Sequence, residues 1–256
     1  MKILVIGGTG LIGSKVVQRL GALGHEAIAA SPSSGVNTLT GEGLDAALAG
    51  VDTVVDLANS PVFVGPEVLA FFETAGRNLF AAEKRAGIDH HVALSVVGAD
   101  RLRTSDYMVA KVAQERLVAE SGVPYTIIRS TQFFEFMGGI AQSAAQGGSI
   151  ALPTAYIQPI SSDEVAEAVV VAATGAPVNG MMEIGGPEKF RMAELVGRFL
   201  KIIQDPHDVV GDAKAPYFGA LLADNDLVAG PGAHLGKIDF PAWLRTSRYA
   251  QFASAA

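Results

Sequence analysis

Residues 2–13 read KILVIGGTGLIG, and this stretch decides the fold. Residues 3–6 form an apolar run of the kind that makes a buried strand, and the strand is predicted over 2–6. Gly7, Gly10 and Gly13 follow at a spacing of three, and apolar residues then recur at helical spacing over Leu11–Leu23. A strand, a glycine turn and an amphipathic helix in this order are typical of the turn that holds a dinucleotide.

Each glycine of such a turn has a separate physical role. One makes the sharp bend, one lets the backbone approach a pyrophosphate, and one allows close packing of helix on strand. The helix N-terminus adds free N–H groups and the positive end of its dipole. A plain strand-to-helix connection is the alternative, and a P-loop is excluded because no Gly-Lys-Ser/Thr follows. We predict that phosphates are bound by Gly7, Thr9, Gly10, Leu11, Ile12 and Gly13.

Strand and helix patterns alternate along the next hundred residues. Apolar runs predict strands over 2–6, 26–30, 53–57, 91–95, 125–129 and 181–184. Helical spacing predicts helices over 11–23, 44–48, 68–86, 106–121, 165–173 and 192–203. Such alternation favours right-handed crossovers between parallel strands. We therefore predict an α/β fold, a Rossmann-type doubly wound parallel sheet with a small C-terminal lobe that faces the substrate.

The alternation loosens after Ser130, and the tail is rich in proline. The dinucleotide-binding core is accordingly predicted over 1–130 and 156–185. The substrate-facing lobe is predicted over 131–155 and 186–256, with the region of Trp243 packing the tail over the cleft.

Composition restricts the partners and the compartment. The 256-residue chain has a formal net charge of -7 and no cysteine, so disulfides and thiolate metal sites are excluded. It has no basic run, which argues against nucleic acid and anionic membranes as partners. The N-terminal apolar run is too short for a signal peptide, and no stretch approaches the roughly 18 apolar residues of a membrane span. We expect a soluble, cytoplasmic protein that acts on a small molecule; the oligomeric state is not indicated.

The residues after the second predicted strand bear on the choice of cofactor. An Asp or Glu about 20 residues after the glycine turn usually holds the adenine ribose of NAD. Residues 29–34 here read AASPSS, so no carboxylate would repel a 2′-phosphate, and the hydroxyls of Ser31 and Ser33 can donate to one. Lys15, in the first helical turn, would add a positive charge. NADP(H) is therefore preferred, with NAD(H) as the alternative. The competing interpretation of the serines is a plain polar turn.

Asn59 and Ser60, which follow the third predicted strand, are predicted to contact the cofactor.

Ser95, Tyr107 and Lys111 make the resemblance to a known family specific. Tyr107 and Lys111 are four residues apart on one face of a predicted helix, and Ser95 ends the preceding strand. With the glycine turn, these residues resemble the short-chain dehydrogenase/reductase superfamily. Segments 124–129 (PYTIIR), 158–166 (QPISSDEVA) and 185–188 (GGPE) resemble its atypical, NmrA-like branch. The resemblance covers nearly the whole chain and weakens after about residue 198.

The resemblance implies a Ser-Tyr-Lys mechanism. Tyr107 would give a proton to a carbonyl oxygen as hydride reaches the carbon, and Ser95 would hydrogen-bond the same oxygen. Lys111 would bind the nicotinamide ribose and, together with the cofactor's charge, lower the phenol pKa from its usual value of about 10. Many relatives carry an Asn on the preceding helix as part of a proton relay. Here the nearest candidate, Asn78, is interpreted as structural.

Residues 130–137 read STQFFEFM and correspond to the part of the family that lines the substrate cleft. We predict that Gln132, Phe133 and Phe136 contact an apolar substrate, the alternative being that the aromatic residues are core. Asp163 is interpreted as a helix cap rather than a catalyst. His90 and His91 lack a third ligand at metal spacing, so no metal site is predicted.

Three functions compete at this point. The first is an NAD(P)-dependent oxidoreductase acting on a small carbonyl, enone or quinone-like substrate. The second is a non-catalytic NADP(H) sensor of the NmrA type that regulates a protein partner; such members often lack the tyrosine that this chain keeps. The third, a sugar-nucleotide epimerase, is disfavoured because the C-terminal part is short for a nucleotide-sugar domain.

Overall fold

A seven-stranded parallel sheet forms the centre of the computed structural model, which describes residues 1–146 and 148–255. Positions 147 and 256, both in the predicted lobe segments, lie outside the described residues. The strands are β1 (Lys2–Ile6), β2 (Glu26–Ala30), β3 (Thr53–Asp56), β4 (His90–Val96), β5 (Tyr125–Ser130), β6 (Ala145–Gln146), β7 (Ser149–Leu152), β8 (Tyr156–Ile157), β9 (Gly180–Gly185), β10 (Phe190–Arg191), β11 (Asp208–Gly211) and β12 (His234–Leu235). The central sheet has the order β12-β9-β5-β4-β3-β1-β2.

Helices connect these strands and cover the two faces of the sheet. They are α1 (Leu11–Ala22), α2 (Leu44–Ala47), α3 (Pro66–Ala86), α4 (Asp106–Glu120), α5 (Met137–Ser143), α6 (Ser162–Thr174), α7 (Met192–Ile202) and α8 (Phe240–Thr246). The order reverses direction at β1, with β2 on one side and β3 on the other. The predicted Rossmann-type, doubly wound fold is confirmed. Ligands bind such sheets beyond the carboxyl ends of the strands, at the point of reversal.

The alternation of side chains along β1 explains why the run is apolar throughout. Ile3 and Val5 pack on one face of the sheet with α1 and α6, whereas Leu4 and Ile6 pack on the other with α3. All four are at most 4% exposed. A strand buried on both faces needs apolar residues at every buried position, so the run of four predicts a central parallel strand.

A third apolar cluster holds the segments beyond the sheet together. Phe134 lies on the indole of Trp243 at 5.3 Å between ring centroids, and Phe240 and Phe199 pack against the same indole. The indole N–H donates to Glu135 at 3.1 Å, and Ser162 Oγ donates to the same carboxylate at 2.6 Å. Trp243 thus fixes the tail to the segment after β5 and to the start of α6.

The tail contains more regular structure than its prolines suggested. β12, from the predicted lobe segment, adds an edge strand to the central sheet beside β9. α8 begins at Asp239, whose side chain accepts from the backbone N–H of Ala242 at 2.7 Å. Within the described residues, no helix combines the length and the apolar character that crossing a membrane requires.

Candidate cofactor and proton-donor site

The glycine turn lies between β1 and α1, and its backbone leaves no room for a side chain at Gly7, Gly8 or Gly13. Gly7 has φ of +72°, and a Cβ there would lie 2.8 Å from the Leu57 carbonyl oxygen. A Cβ on Gly13 would lie 2.1 Å from the Gly7 oxygen, so α1 packs directly on the turn. At Gly10 a Cβ would meet only the Gly7 oxygen, at 3.3 Å. The turn is therefore closed towards the protein and open at Gly10.

The N-terminus of α1 is free to bind an anion. Gly10 is the N-cap and has no side chain to bond the first N–H groups, and no acidic residue lies in the first turn. Thr9 and Leu11 are exposed, whereas Ile12 is buried in the core. Unsatisfied N–H groups and the helix dipole favour a phosphate at this point. The residues present therefore fit the pyrophosphate of a dinucleotide.

The two serines after β2 belong to one short 3₁₀ helix, of which Ser31 is the N-cap and Ser33 the middle residue. Ser31 Oγ and Ser33 Oγ are 2.8 Å apart, and the Ser31 N–H donates to Ser34 Oγ at 2.9 Å. Ser31 is buried and Ser33 exposed. Lys15, predicted above to add a positive charge, points elsewhere: its Nζ lies 2.6 Å from the carboxylate of Asp163. The ammonium is therefore held at α6 and not at the serines.

Tyr107 lies in the first turn of α4, at the carboxyl edge of the sheet. Its hydroxyl donates to Asn59 Oδ1 at 3.2 Å, and its ring packs on Phe63 and Phe72 with centroid distances of 5.1 and 6.3 Å. Burial raises the pKa of Tyr107 to about 12, against a smaller lowering by Asn59. The expected lowering of this pKa also depends on the charge of a bound cofactor and stays a prediction; in the protein alone the phenol is neutral at physiological pH.

Lys111 lies one turn further along α4 and faces the sheet. Its Nζ donates to the Leu94 carbonyl at 2.8 Å and to Gln114 Oε1, and it lies 4.7 Å above the Phe72 ring. Burial lowers the pKa of Lys111 to about 8, although Asp56 raises it. Its hydrogen bonds to the Leu94 carbonyl and to Gln114, and not to the phenol, explain why it does not lower the pKa of Tyr107.

Ser95 makes a different contact from the one predicted. It is buried, and its hydroxyl donates to Glu115 Oε1 at 2.6 Å. Arg129 holds the same carboxylate through two hydrogen bonds of 2.8 and 2.7 Å. Alternation along β4 turns Ser95 towards this ion pair beneath α4. The structure therefore joins Tyr107 to Asn59 and assigns Ser95 to a separate buried network.

The loop after β3 also approaches Tyr107. Asn59 is exposed, and its amide oxygen accepts from the phenol; Ser60 is buried, and its hydroxyl accepts from the Val62 N–H at 3.3 Å. This placement brings a predicted cofactor-contact loop and the predicted proton donor together. The acceptor of this hydrogen bond is replaceable, because another carbonyl oxygen can accept from the Tyr107 hydroxyl in place of the Asn59 amide oxygen.

Comparisons with known proteins decide the family. Residues 7–175 match a family model described as NAD(P)H-binding. The chain belongs to this NAD(P)H-binding family. The match begins at the first glycine of the turn and extends through α6, and the resemblance to the atypical short-chain dehydrogenase/reductase superfamily is confirmed. This NAD(P)H-binding protein has a fold similar to those of the solved structures described next.

Individual relatives are distant. The chain is 26% identical over 239 residues to photosystem II assembly factor Ycf39 of Synechocystis sp. strain PCC 6803, covering 82% of this chain and 72% of the relative. The UDP-glucose 4-epimerase of Thermus thermophilus, solved with NAD, is 18% identical at a TM-score of 0.68, covering 89% of this chain and 92% of that one. An NADPH-dependent quinone oxidoreductase of Escherichia coli is 20% identical at a TM-score of 0.57, with coverages of 82% and 77%.

The residues predicted to contact substrate have different environments in this NAD(P)H-binding protein. Phe133 and Phe136 stack at 5.1 Å between centroids, and Phe136 is 48% exposed. Gln132 is buried. Phe134 and Met137, from the same stretch, belong to the lobe core. The predicted apolar wall therefore divides into a surface pair and a core pair.

Two further predictions concern structural side chains. The Asn78 amide donates to the carbonyls of Thr38 and Leu39 at 2.8 and 2.9 Å, which agrees with its structural interpretation. The N-cap of α6 is Ser161, whose hydroxyl accepts from the N–H of Asp163, so Asp163 itself is not the cap. Its carboxylate binds Lys15 and Arg19 instead, and ties α6 to α1.

Sequence reasoning missed several residues at the site. In the sequence, Glu115 and Arg129 look like any other helix and strand residues. Only the fold brings them together as an ion pair beside Ser95. Phe63, from the loop before α3, packs on the Tyr107 ring. Phe218, from the tail, packs on Phe63 at 5.7 Å between ring centroids. One signal was available: E follows K by four residues on α4, which places Glu115 on the same helix face as Lys111.

Two surface cavities lie away from this site. One of about 530 Å³ lies between α7 and β11 and includes Arg198, Lys201 and His207. Another of about 420 Å³ lies at the amino ends of the strands, beside Asp52 and His90. Neither includes the glycine turn or Tyr107. Among the described residues, no group of three or more His, Cys, Asp or Glu side chains is arranged to hold a metal ion.

Proposed function

We propose that this protein is an NAD(P)H-dependent reductase of a small conjugated carbonyl compound, with Tyr107 as the proton donor. The observation that carries the proposal is the hydrogen bond of 3.2 Å from the Tyr107 hydroxyl to Asn59, at the same edge of the sheet as the glycine turn. A phenol that already donates outward, among aromatic rings, is suited to donate to a substrate carbonyl.

Reduced nicotinamide supplies a hydride when bound. The chain's own residues do the rest: the glycine turn and the α1 N-terminus hold the pyrophosphate, and the Phe63 and Phe72 rings restrict water around Tyr107. As the carbonyl carbon gains the hydride, its oxygen takes the proton of the Tyr107 hydroxyl. The products are an alcohol, the oxidised cofactor and a phenolate that is reprotonated from solvent.

Tyr107 is suited to act as an acid towards a carbonyl oxygen. Burial raises its pKa to about 12, so the phenol keeps its proton at neutral pH. Ser95 has no part in the proposed step, because its hydroxyl is committed to Glu115. Lys111 is proposed to donate to the nicotinamide ribose from its position between Leu94 and Gln114.

A preference for NADP(H) is part of the proposal. It is supported by the absence of a carboxylate from residues 29–34 and by the hydroxyl of the exposed Ser33. The buried Ser31 hydroxyl supports Ser33 at 2.8 Å. Because Lys15 is held by Asp163, hydroxyl and backbone groups of this turn would carry the recognition of the 2′-phosphate.

A second candidate is a cofactor-binding protein without turnover. It is favoured by the commitment of Ser95 to Glu115, which weakens a Ser-Tyr-Lys mechanism. The relative named as an assembly factor is consistent with a role in which cofactor binding regulates a protein partner.

One experiment separates the candidates. The purified protein is mixed with NADPH and a panel of aldehydes, ketones and quinones, and loss of NADPH absorbance is followed. We expect consumption with at least one carbonyl compound and a fall in kcat/KM of about 100-fold in Tyr107→Phe, the usual contribution of a general acid. Tyr156→Phe is the control, since that ring lies under Arg191 on the lobe surface.

NADPH binding with no consumption across the panel would favour the regulatory candidate. Consumption that survives Tyr107→Phe would contradict the assignment of the proton donor. Absence of NADPH binding would contradict both candidates.

A further inference from the structure

The Gln132 side chain is buried at the start of the lobe without a partner. It is 6% exposed, and among the described residues neither its amide nitrogen nor its amide oxygen makes a hydrogen bond. Its backbone is fixed, because its carbonyl accepts from the Ile160 N–H at 2.9 Å. An unpaired buried amide costs free energy, so native structures rarely keep one unless a ligand or water completes it.

Tyr217 brings a second phenol to the same place. It is buried in the lobe cluster against which the Tyr107 ring packs. The Gln132 amide lies beside the Tyr217 hydroxyl without completing a hydrogen bond. Burial raises the pKa of Tyr217, Tyr107 adds to the increase, and the amide of Gln132 opposes it. The second phenol is therefore neutral and able to donate.

A tight turn holds Tyr217 in position. Tyr217 and Ala220 exchange both backbone hydrogen bonds, at 2.7 and 3.0 Å. Phe218 and Gly219, between them, have φ of +44° and +85°. An aromatic residue in the left-handed region is unusual, because turns of this type prefer Asn or Asp before Gly. The turn places Phe218 against Phe63 and edge-on to Tyr217, at 5.7 and 4.8 Å between ring centroids.

The rings form a continuous aromatic lining between the two phenols. Tyr107 meets Phe63, Phe63 meets Phe218, and Phe218 meets Tyr217. Phe63 is 40% exposed, so this lining reaches the surface through the loop before α3. Flat conjugated molecules suit such a lining, since offset and edge-on contacts between rings are favourable.

We propose that Tyr217 and Gln132 form a second hydrogen-bonding point of the substrate site, and that the substrate is a flat conjugated carbonyl compound with a second oxygen on its ring. The reacting carbonyl accepts from Tyr107, and the second oxygen, as hydroxyl or carbonyl, bonds Tyr217 and the Gln132 amide. This inference rests on the proposed function of the site, and it assigns substrate selection to two residues that lie outside the glycine turn and α4.

The test compares the binding of 4-hydroxyacetophenone and acetophenone, which differ by the second oxygen alone. Calorimetric titration is done on the full chain with and without NADP⁺. We expect the hydroxylated ketone to bind about tenfold more tightly to the wild type, as one well-made hydrogen bond provides. Tyr217→Phe and Gln132→Leu should each remove this preference while changing the Kd for acetophenone less than about twofold.

Tyr249→Phe is the matched control, because that phenol lies elsewhere in the lobe, beside Phe199, and accepts from Arg248. Circular dichroism checks folding, and Gln132→Leu decides the matter if Tyr217→Phe does not fold. Equal binding of both ketones to the wild type, binding of neither, or a preference that survives both substitutions would overturn the inference.

The outcomes are separate from those of the proposed function. A preference that depends on Tyr217, in a protein that consumes no NADPH, would keep the inference and reject the reductase. Turnover that depends on Tyr107 without such a preference would keep the reductase and reject the inference.

Discussion

Lys111 is a cation placed in the interior of the protein. It is 3% exposed, and its hydrogen-bond partners are the neutral Leu94 carbonyl and Gln114 side chain. Desolvation is the largest effect on this group, and it lowers the pKa of Lys111 to about 8 although Asp56 and Glu115 raise it. The folded protein therefore holds this proton less tightly than the unfolded chain does.

The lowered pKa of Lys111 determines how the free energy of unfolding changes with pH. Between about pH 8 and the usual lysine pKa of about 10.4, the unfolded chain binds more protons at this position, so stability rises with pH. Relative to Lys111→Met, the wild type should gain on the order of 3 kcal/mol of unfolding free energy across that window, since each pKa unit is worth about 1.4 kcal/mol. Urea unfolding at a series of pH values measures this gain.

Lys84→Met, at an exposed position of α3, controls for loss of a helix lysine. A constant difference between the wild type and Lys111→Met from neutral to alkaline pH would show that the ammonium is not desolvated.

Individual side chains were the least predictable part of the site. The spacing of four residues correctly places Tyr107 and Lys111 on one helix. It does not predict the direction in which each side chain points. The resemblance places Ser95 beside the phenol, yet it bonds Glu115, because the choice depends on the partner that Arg129 holds across β4 and β5. Such choices are made by tertiary contacts that sequence spacing does not record.

Among the helices and strands, the junction of β1 with α1 is the most constrained. A Cβ on Gly13 would lie 2.1 Å from the Gly7 oxygen, whereas one on Gly21, in the same helix, would meet nothing within 4 Å. Gly13→Ala must therefore displace the turn. Gly21→Ala should keep the turn and add up to about 1 kcal/mol of stability from helix propensity.

Titration with NADPH and NADH tests the junction. We expect Gly13→Ala to bind NADPH at least about tenfold more weakly than the wild type, a loss of about 1.4 kcal/mol, and Gly21→Ala to bind it equally well. Wild-type affinity in Gly13→Ala would contradict the assignment of the turn. Tighter binding of NADH than of NADPH by the wild type would contradict the proposed preference for the 2′-phosphate.

The elements of the sheet were predictable because their signals are local. Apolar runs and terminal glycines place β1 and β2 at the observed bounds, and the start of α4 as well. The two-residue strands β6, β8, β10 and β12 were not predicted, because so short a segment has no periodicity to detect. For β8, β10 and β12 the pairing partner is also distant in sequence.

Over the chain as a whole, the two parts of the proposed substrate site come from distant segments. Tyr107 begins α4, Gln132 follows β5, and Tyr217 lies in a turn of the tail. The tail packs on the rest of the fold through Trp243 against Phe134 and through β12 at the sheet edge. Sequence patterns predicted that the tail packs over the cleft, but not which of its residues would meet Tyr107.

The proposed reaction requires that hydride reaches a carbonyl carbon while Tyr107 protonates the carbonyl oxygen. The direct measurement uses NADPH in which deuterium replaces both hydrogens at nicotinamide C4, with 4-hydroxyacetophenone, and analyses the product by mass spectrometry. We predict an alcohol with one deuterium on the carbinol carbon from the wild type, and at least about 100-fold slower formation by Tyr107→Phe. Protein that binds NADPH but yields no deuterated alcohol, or equal rates in the two proteins, would contradict the account.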